Sequence, residues 1–184
     1  MKKAILVAIA TLASINGFSQ IYVSKDKAAQ IKFFSETPME NIDATNQAVT
    51  SILNASNDSI VVKVPINAFI FPKSLMQEHF NENYLESEKY PTSSFRGKIN
   101  EKIDFTKNGE NKVTCTGNLY MHGVTKLVTI NGTLKVVDGK VVLDSKFAVK
   151  LKDYNIDVPK LVLQNIAESI DVTMNATYTP YVKK

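Results

Sequence analysis

Along most of this chain apolar and polar residues alternate in twos, the period of strands with one buried and one wet face. Residues 21–24 and 30–36 predict a short first strand pair joined by a turn over 25–29, with Ile31 and Phe33 on one face and Lys32 and Glu36 on the other. After Thr37-Pro38-Met39, residues 40–53 alternate only weakly and predict one poorly patterned strand. From Ile60 the pattern is clean. Ile60, Val62, Val64 and Ile66 oppose Lys63 and Asn67, and Pro65 marks an edge or a bulge. Phe95, Gly97, Ile99, Ile103 and Phe105 oppose Arg96, Lys98, Asn100, Lys102 and Asp104, followed by an Asn108-Gly109 hairpin signal. Further turns at His122-Gly123 and Asp138-Gly139 separate three more alternating runs. Their inward sets include Val113, Cys115, Leu119 and Met121, then Val128, Ile130, Leu134 and Val136, then Val141, Leu143, Phe147 and Val149. A longer connection over 153–165, with a helical turn near 159–164, leads to a last strand carrying Ile170, Val172, Met174, Ala176 and Tyr178.

One stretch, residues 72–95, breaks the period. Leu75, Met76, His79, Phe80, Asn83 and Tyr84 recur at helical spacing, with Gln77, Glu78, Asn81, Glu82 and Glu86 on the opposite face. Ser74 and Gln77 read as a capping box at the start, and Pro91 requires the helix to end by Lys89 or Tyr90. An amphipathic helix among strands needs an apolar surface, and the strands' inner faces supply it.

About eight hairpin-linked strands with a single apolar face predict an all-β fold, an antiparallel eight-stranded β-barrel with one amphipathic helix between strands. Lys, Asp and Asn on the outer faces argue against a barrel that sits in a membrane.

The first residues change the picture of where this barrel works. Lys2 and Lys3, an apolar run over 4–13 and small residues at Gly17 and Ser19 predict a signal peptide over 1–19, cleaved before Gln20, and a single domain over 20–184. The expected product is soluble, without membrane insertion, and either periplasmic or secreted. Loss of the two lysines lowers the formal charge from +4 to +2, with the remaining lysines dispersed among acids, which disfavours nucleic acid as a partner. Cys115 is the only cysteine, so burial rather than a disulfide must hold the fold together.

Candidate chemistry is sparse: no catalytic constellation and no metal set is legible, and the chain does not read as an enzyme. His79 reads as a helix residue at the core margin or a ligand contact. His122 reads as a hairpin residue bonding nearby backbone, and Cys115 as a small buried hydrophobe. Large inward side chains (Phe33, Phe69, Phe71, Phe80, Phe95, Phe105, Phe147) meet small ones (Gly97, Gly117, Ala148), leaving open whether the interior is packed or hollow.

Three segments carry a resemblance. Gln77-Glu78-His79-Phe80, then Glu88-Lys89-Tyr90-Pro91 with Phe95, then the run from Gly117 through Met121-His122-Gly123-Val124-Thr125-Lys126 resemble the YceI-like family of bacterial exported proteins. Asp153-Tyr154-Asn155-Ile156 and the closing strand over 168–176 are similar to its C-terminal pattern, so the resemblance spans roughly 60–178. Upstream, Lys27-Ala28-Ala29-Gln30-Ile31 stands where the family usually has a His-Ser pair, and Met76-Gln77-Glu78 where it has Arg-Asp.

The resemblance implies a lipocalin-like, extended barrel that holds an isoprenoid or other long-chain lipid, a quinone among the options, with no other cofactor. On that basis Phe33, Leu75, Met76, His79, Phe80, Tyr84, Phe95, Leu119, Met121, Phe147 and Met174 are the expected ligand-binding residues. The alternative is a ligand-free secreted protein of stress response or envelope interaction acting through its surface. A homodimer stays open, since no exposed apolar strip is legible from which to argue one.

Overall fold

The computed structural model describes residues 21–37, 41–158 and 167–182; the expected signal peptide and the helical turn near 159–164 lie outside these. Ten strands form one antiparallel sheet: β1 (Ile21–Ser24), β2 (Ala29–Ser35), β3 (Ile42–Asn46), β4 (Thr50–Asn54), β5 (Ser59–Pro65), β6 (Thr92–Ile99), β7 (Gly109–Met121), β8 (Val124–Val137), β9 (Lys140–Lys150) and β10 (Ser169–Pro180). The order β1-β4-β5-β6-β7-β8-β9-β10 returns to β1, closing an eight-membered barrel. Closure pairs every stave on both sides over at least part of its length.

The barrel has eight staves from ten strands because the first two staves are each broken. β1 and β2 do not pair with each other, contrary to the expected first strand pair. They run in line along β10, β1 meeting Thr179 and Pro180 and β2 meeting Asp171 to Ala176. The break between them is a turn in which Ala28 N donates to Lys25 O (2.9 Å), with Asp26 and Lys27 at positive φ. The weakly patterned stretch holds two strands rather than one: β3 pairs β2, and β4 lies between β1 and β5. Its alternation is masked because two of its inward residues are polar. Asn46 is fully buried, its amide donating to Pro65 O (2.7 Å) while its Oδ1 accepts from Ala48 N (2.8 Å). Ser51 is equally buried and bonded to Val61 O and Tyr178 Oη.

The long strands follow the sequence closely. His122-Gly123 and Asp138-Gly139 turn with both φ angles positive, the requirement of a tight hairpin that matches strand twist. Asn108-Gly109 does not form the expected hairpin. β6 stops at Ile99, and Asn108 instead bonds Asp138 across the barrel end, through Nδ2 to Asp138 Oδ1 (3.1 Å) and from Asp138 N to its own Oδ1 (2.9 Å). Phe105 is therefore a loop residue, turned inward against Tyr22 (ring centroids 5.9 Å). With Leu53, Leu134, Val136, Val141 and Tyr178, all but inaccessible, it fills this end of the barrel solidly.

Gly97 and Gly117 face each other across β6 and β7. A β-carbon on Gly117 would collide with the Arg96 carbonyl, and one on Gly97 would fall 2.6 Å from Phe95 Cζ, so the glycine pair lets the Phe95 ring lie flat along the wall. Ala148, grouped with them by the sequence pattern, points outward. The outer surface also carries a short apolar row that was not legible in advance: Val23, Ile52 and Val61 stand in register, with Ile52 49% exposed.

The helix α1 (Ser74–His79) begins where expected and runs into one wide π-type turn over Phe80–Tyr84, in which Leu85 N donates to Phe80 O (2.9 Å). It thus ends earlier than Pro91 alone requires. The capping box does not form: Lys73 is the cap residue, and no side chain caps the first turn. Gln77 is spent elsewhere, its Oε1 accepting from Phe71 N (3.2 Å), which ties the helix to the segment leaving β5.

Candidate binding cavity

The end opposite the Tyr22–Phe105 plug is hollow. An inner cavity of about 140 Å³ is lined by Phe33, Phe80, Phe95, Leu119, Met121, Phe147 and Met174. The walls are completed by aliphatic residues of β2, β5, β7, β9 and β10. Strand alternation places these side chains except Phe80, which comes from the turn after α1: the others sit on the inward parity of their strands, and the long staves β7, β9 and β10 carry it past the plug. Among the described residues none of its lining groups is charged, and the polar contributions come from Ser93, Ser94, Asn131, Ser145 and Cys115. Ser93 Oγ is already engaged, donating to Tyr120 O (2.6 Å). Burial, with a smaller contribution from Glu101, lifts the Cys115 thiol from 9.0 to about 12, so it behaves as an apolar wall atom.

A second cavity of about 400 Å³ lies under α1 at the barrel mouth. Leu75, Met76, His79 and Tyr84 line it together with Ile42, Phe71, Lys73 and Ile156. Phe33, Phe80 and Ile170 belong to both cavities and separate them. Phe80 sits at the centre of an aromatic cluster: its ring stacks on Phe33 (5.5 Å, 19°), meets Phe69 edge-on (5.4 Å) and touches Phe71 (5.0 Å). The π-type turn sets this orientation, because the extra residue per turn rotates the helix at Phe80. Leu75 lines the mouth yet is 59% exposed, and His79 is exposed, so neither is a core residue. Burial raises the Tyr84 phenol above its ordinary value of 10.0.

The two histidines do different things. His79 opens onto the mouth, whereas His122 borders neither cavity. The His122 ring is clamped between Tyr154 O (Nδ1, 3.0 Å) and Glu86 Oε2 (Nε2, 2.7 Å), with Tyr90 edge-on at 4.7 Å. The described residues include no group of three or more His, Cys, Asp or Glu able to hold a metal ion, and no helix among them is long and apolar enough to cross a membrane. Sequence reasoning missed Phe69, Phe71 and Ile156 as lining residues; the i, i+2 pair Phe69 and Phe71 after β5 was the available signal.

A family model of the YceI-like domain matches residues 22–178. No curated protein matches the chain. Solved structures do. A polyisoprenoid-binding domain from Saccharophagus degradans, implicated in plant cell wall breakdown, superposes with a TM-score of 0.74 at 11% identity, covering 89% of this chain and 99% of that one. BcnA of Burkholderia cenocepacia gives 0.71 at 13% identity over 84% and 98%, and a YceI protein of Campylobacter jejuni 0.62 at 17% over 77% and 86%. At these identities the likeness is one of fold.

Proposed function

The chain belongs to the YceI-like family, and from that premise we propose that it is an exported carrier holding an isoprenoid or other long-chain lipid inside the barrel. The observation that carries this reading is an uncharged interior that borders, across the Phe33–Phe80 partition, a mouth under an amphipathic helix. The inner cavity alone matches a benzene-sized guest, by comparison with engineered cavities of ~150 Å³. A long chain must therefore occupy both cavities, whose combined size falls within the roughly 300–1,000 Å³ of ordinary ligand sites.

Burying ~20 carbons at ~0.8 kcal/mol each is worth on the order of 16 kcal/mol gross. That is comparable with or above the ~4–15 kcal/mol cost of association, so shape and apolarity suffice and few polar contacts are needed. The name of the S. degradans relative supports an isoprenoid as the chain, and the Met1-to-Ser19 pattern supports export. On this reading Leu75, Met76, His79 and Tyr84 receive the ligand at the mouth, and Phe95, Leu119, Met121, Phe147 and Met174 hold it within.

The solid plug around Phe105 and the small inner cavity favour a second reading, a ligand-free protein acting through its surface. Native mass spectrometry and solvent extraction of the purified protein separate the two. A co-purifying lipid, or binding of added isoprenoid quinone, is expected. Repeated absence of both overturns the carrier.

A further inference from the structure

The barrel wall forks between β8 and β9. Register between them runs from Val137↔Lys140 to Gly132↔Ser145 and then stops. Beyond this point residues 124–131 of β8 pair only with β7, and residues 146–150 of β9 only with β10. At Gly132, where the register ends, a β-carbon would lie 2.8 Å from Asp144 O. Inside the fork, Ile130 and Phe147 line the inner cavity yet are only half-buried. The last paired residues, Gly132 and Ser145, together with Val113 and Asn131, line both the inner cavity and an open groove on the outer face. The far end of the fork is tied off where Lys126 meets Asp153 (3.6 Å) and His122 meets Tyr154 O.

We propose that this fork is a lateral window, and that the lipid's polar end sits in it while the chain lies in the barrel. This rests on the carrier reading above and adds where the head group goes. The groove selects an uncharged head. Two acids, Glu101 and Asp144, balance two lysines, Lys112 and Lys146. Three of these are already engaged: Glu101 by Thr114 N and Oγ1 (2.7 and 2.8 Å), Asp144 by Asn175 (2.5 Å) and Lys146 by Asp171 (2.8 Å). The four residues that line both the groove and the inner cavity, Val113, Asn131, Gly132 and Ser145, are all uncharged, and the polar groups among their side chains, the Asn131 amide and the Ser145 hydroxyl, suit an alcohol or a carbonyl. A fork also leaves unpaired strand-edge amides and carbonyls beside the window, which a polar group satisfies better than a hydrocarbon does.

The test uses geranylgeraniol extended at its polar end by a short hydroxyl-terminated linker that carries a dialkyl diazirine, bound to the full protein and checked first by native mass spectrometry. After irradiation, peptide mapping is expected to find the label on residues 129–133 and 144–147. Asn131→Trp, an outward position, is expected to abolish labelling there without lowering the melting temperature. Bound probe that labels residues 73–84 and leaves the fork unlabelled overturns the window while the carrier stands. Failure of the probe to bind while added isoprenoid quinone binds overturns the window alone, and failure of both with no co-purifying lipid overturns the carrier with it.

Discussion

The ring of Phe80 stacks on that of Phe33 at 5.5 Å and 19°, and this pair is the partition between the two cavities. A chain that occupies both must displace it. Stacked rings at this spacing contribute about 0.5–1.5 kcal/mol beyond the area they bury, so the partition is a modest barrier rather than a wall. Phe80→Ala removes it at the helix side, where the residue is half-buried. The expected cost is about 2–3 kcal/mol of unfolding free energy, read by urea denaturation, because loss of the ring leaves Phe33, Phe69 and Phe71 partly unfilled. Lipid exchange between this variant and vesicles should be faster than for the parent. An unchanged exchange rate would place the barrier elsewhere.

His122 joins three segments distant in sequence: its own hairpin, the helix exit at Glu86 and the turn over Leu151–Tyr154. Its side chain is 9% exposed, so its truncation leaves the Tyr154 carbonyl without the ring, while Glu86, 40% exposed, keeps water and Lys89 (3.7 Å). His122→Ala should cost about 1–3 kcal/mol, the penalty of leaving such a carbonyl unpaired. His122 also holds φ at 49°, which asparagine tolerates better than alanine. His122→Asn therefore separates turn strain from the clamp: recovery of most of the lost stability would assign the effect to the turn, and continued loss to the clamp. Chemical denaturation of the two variants side by side reads the difference.

How much of this was legible depends on whether a feature is local. The alternation of β7 to β10 and the turns at His122-Gly123 and Asp138-Gly139 are local, and the strands form where the pattern places them. Phe105 keeps the strand period yet leaves the sheet, because its bonding partner at that end is Tyr22 in a stave many residues away. Asn46 and Ser51 hide two strands, since a polar side chain on the inward face looks like a loop until Pro65 O and Tyr178 Oη are known to satisfy it. The same applies to the cavity. The stripe Leu75, Met76, His79 and Tyr84 was readable as a stripe, but that it roofs a mouth, and that Phe80 alone turns down to Phe33, depends on a π-type turn that has no local signature here. The fork at Gly132 was illegible for a related reason: both strands alternate normally through it, and only their mutual register ends.

The plugged end makes a prediction about alkaline pH. Ser51 Oγ donates to Val61 O (3.0 Å), so its bond with Tyr178 Oη (2.7 Å) is donated by the phenol. Burial foremost holds the Tyr178 phenol well above its ordinary 10.0, and burial likewise holds the Cys115 thiol at about 12. In the unfolded chain both groups ionise in their ordinary ranges, ~8.5–9 for the thiol and ~10 for the phenol. Between those values and the native ones the unfolded state binds fewer protons than the folded state. Stability is therefore full below about pH 8.5 and falls as pH rises through the alkaline range. Tyr178→Phe separates the two contributions of the phenol. At neutral pH it should destabilise by about 1 kcal/mol through the lost bond to Ser51. In alkali the variant should lose stability less steeply than the parent, and adding Cys115→Ala should flatten the decline further. Urea midpoints collected from neutral pH upward test this; parallel declines in the parent and the double variant would show that neither group titrates on unfolding.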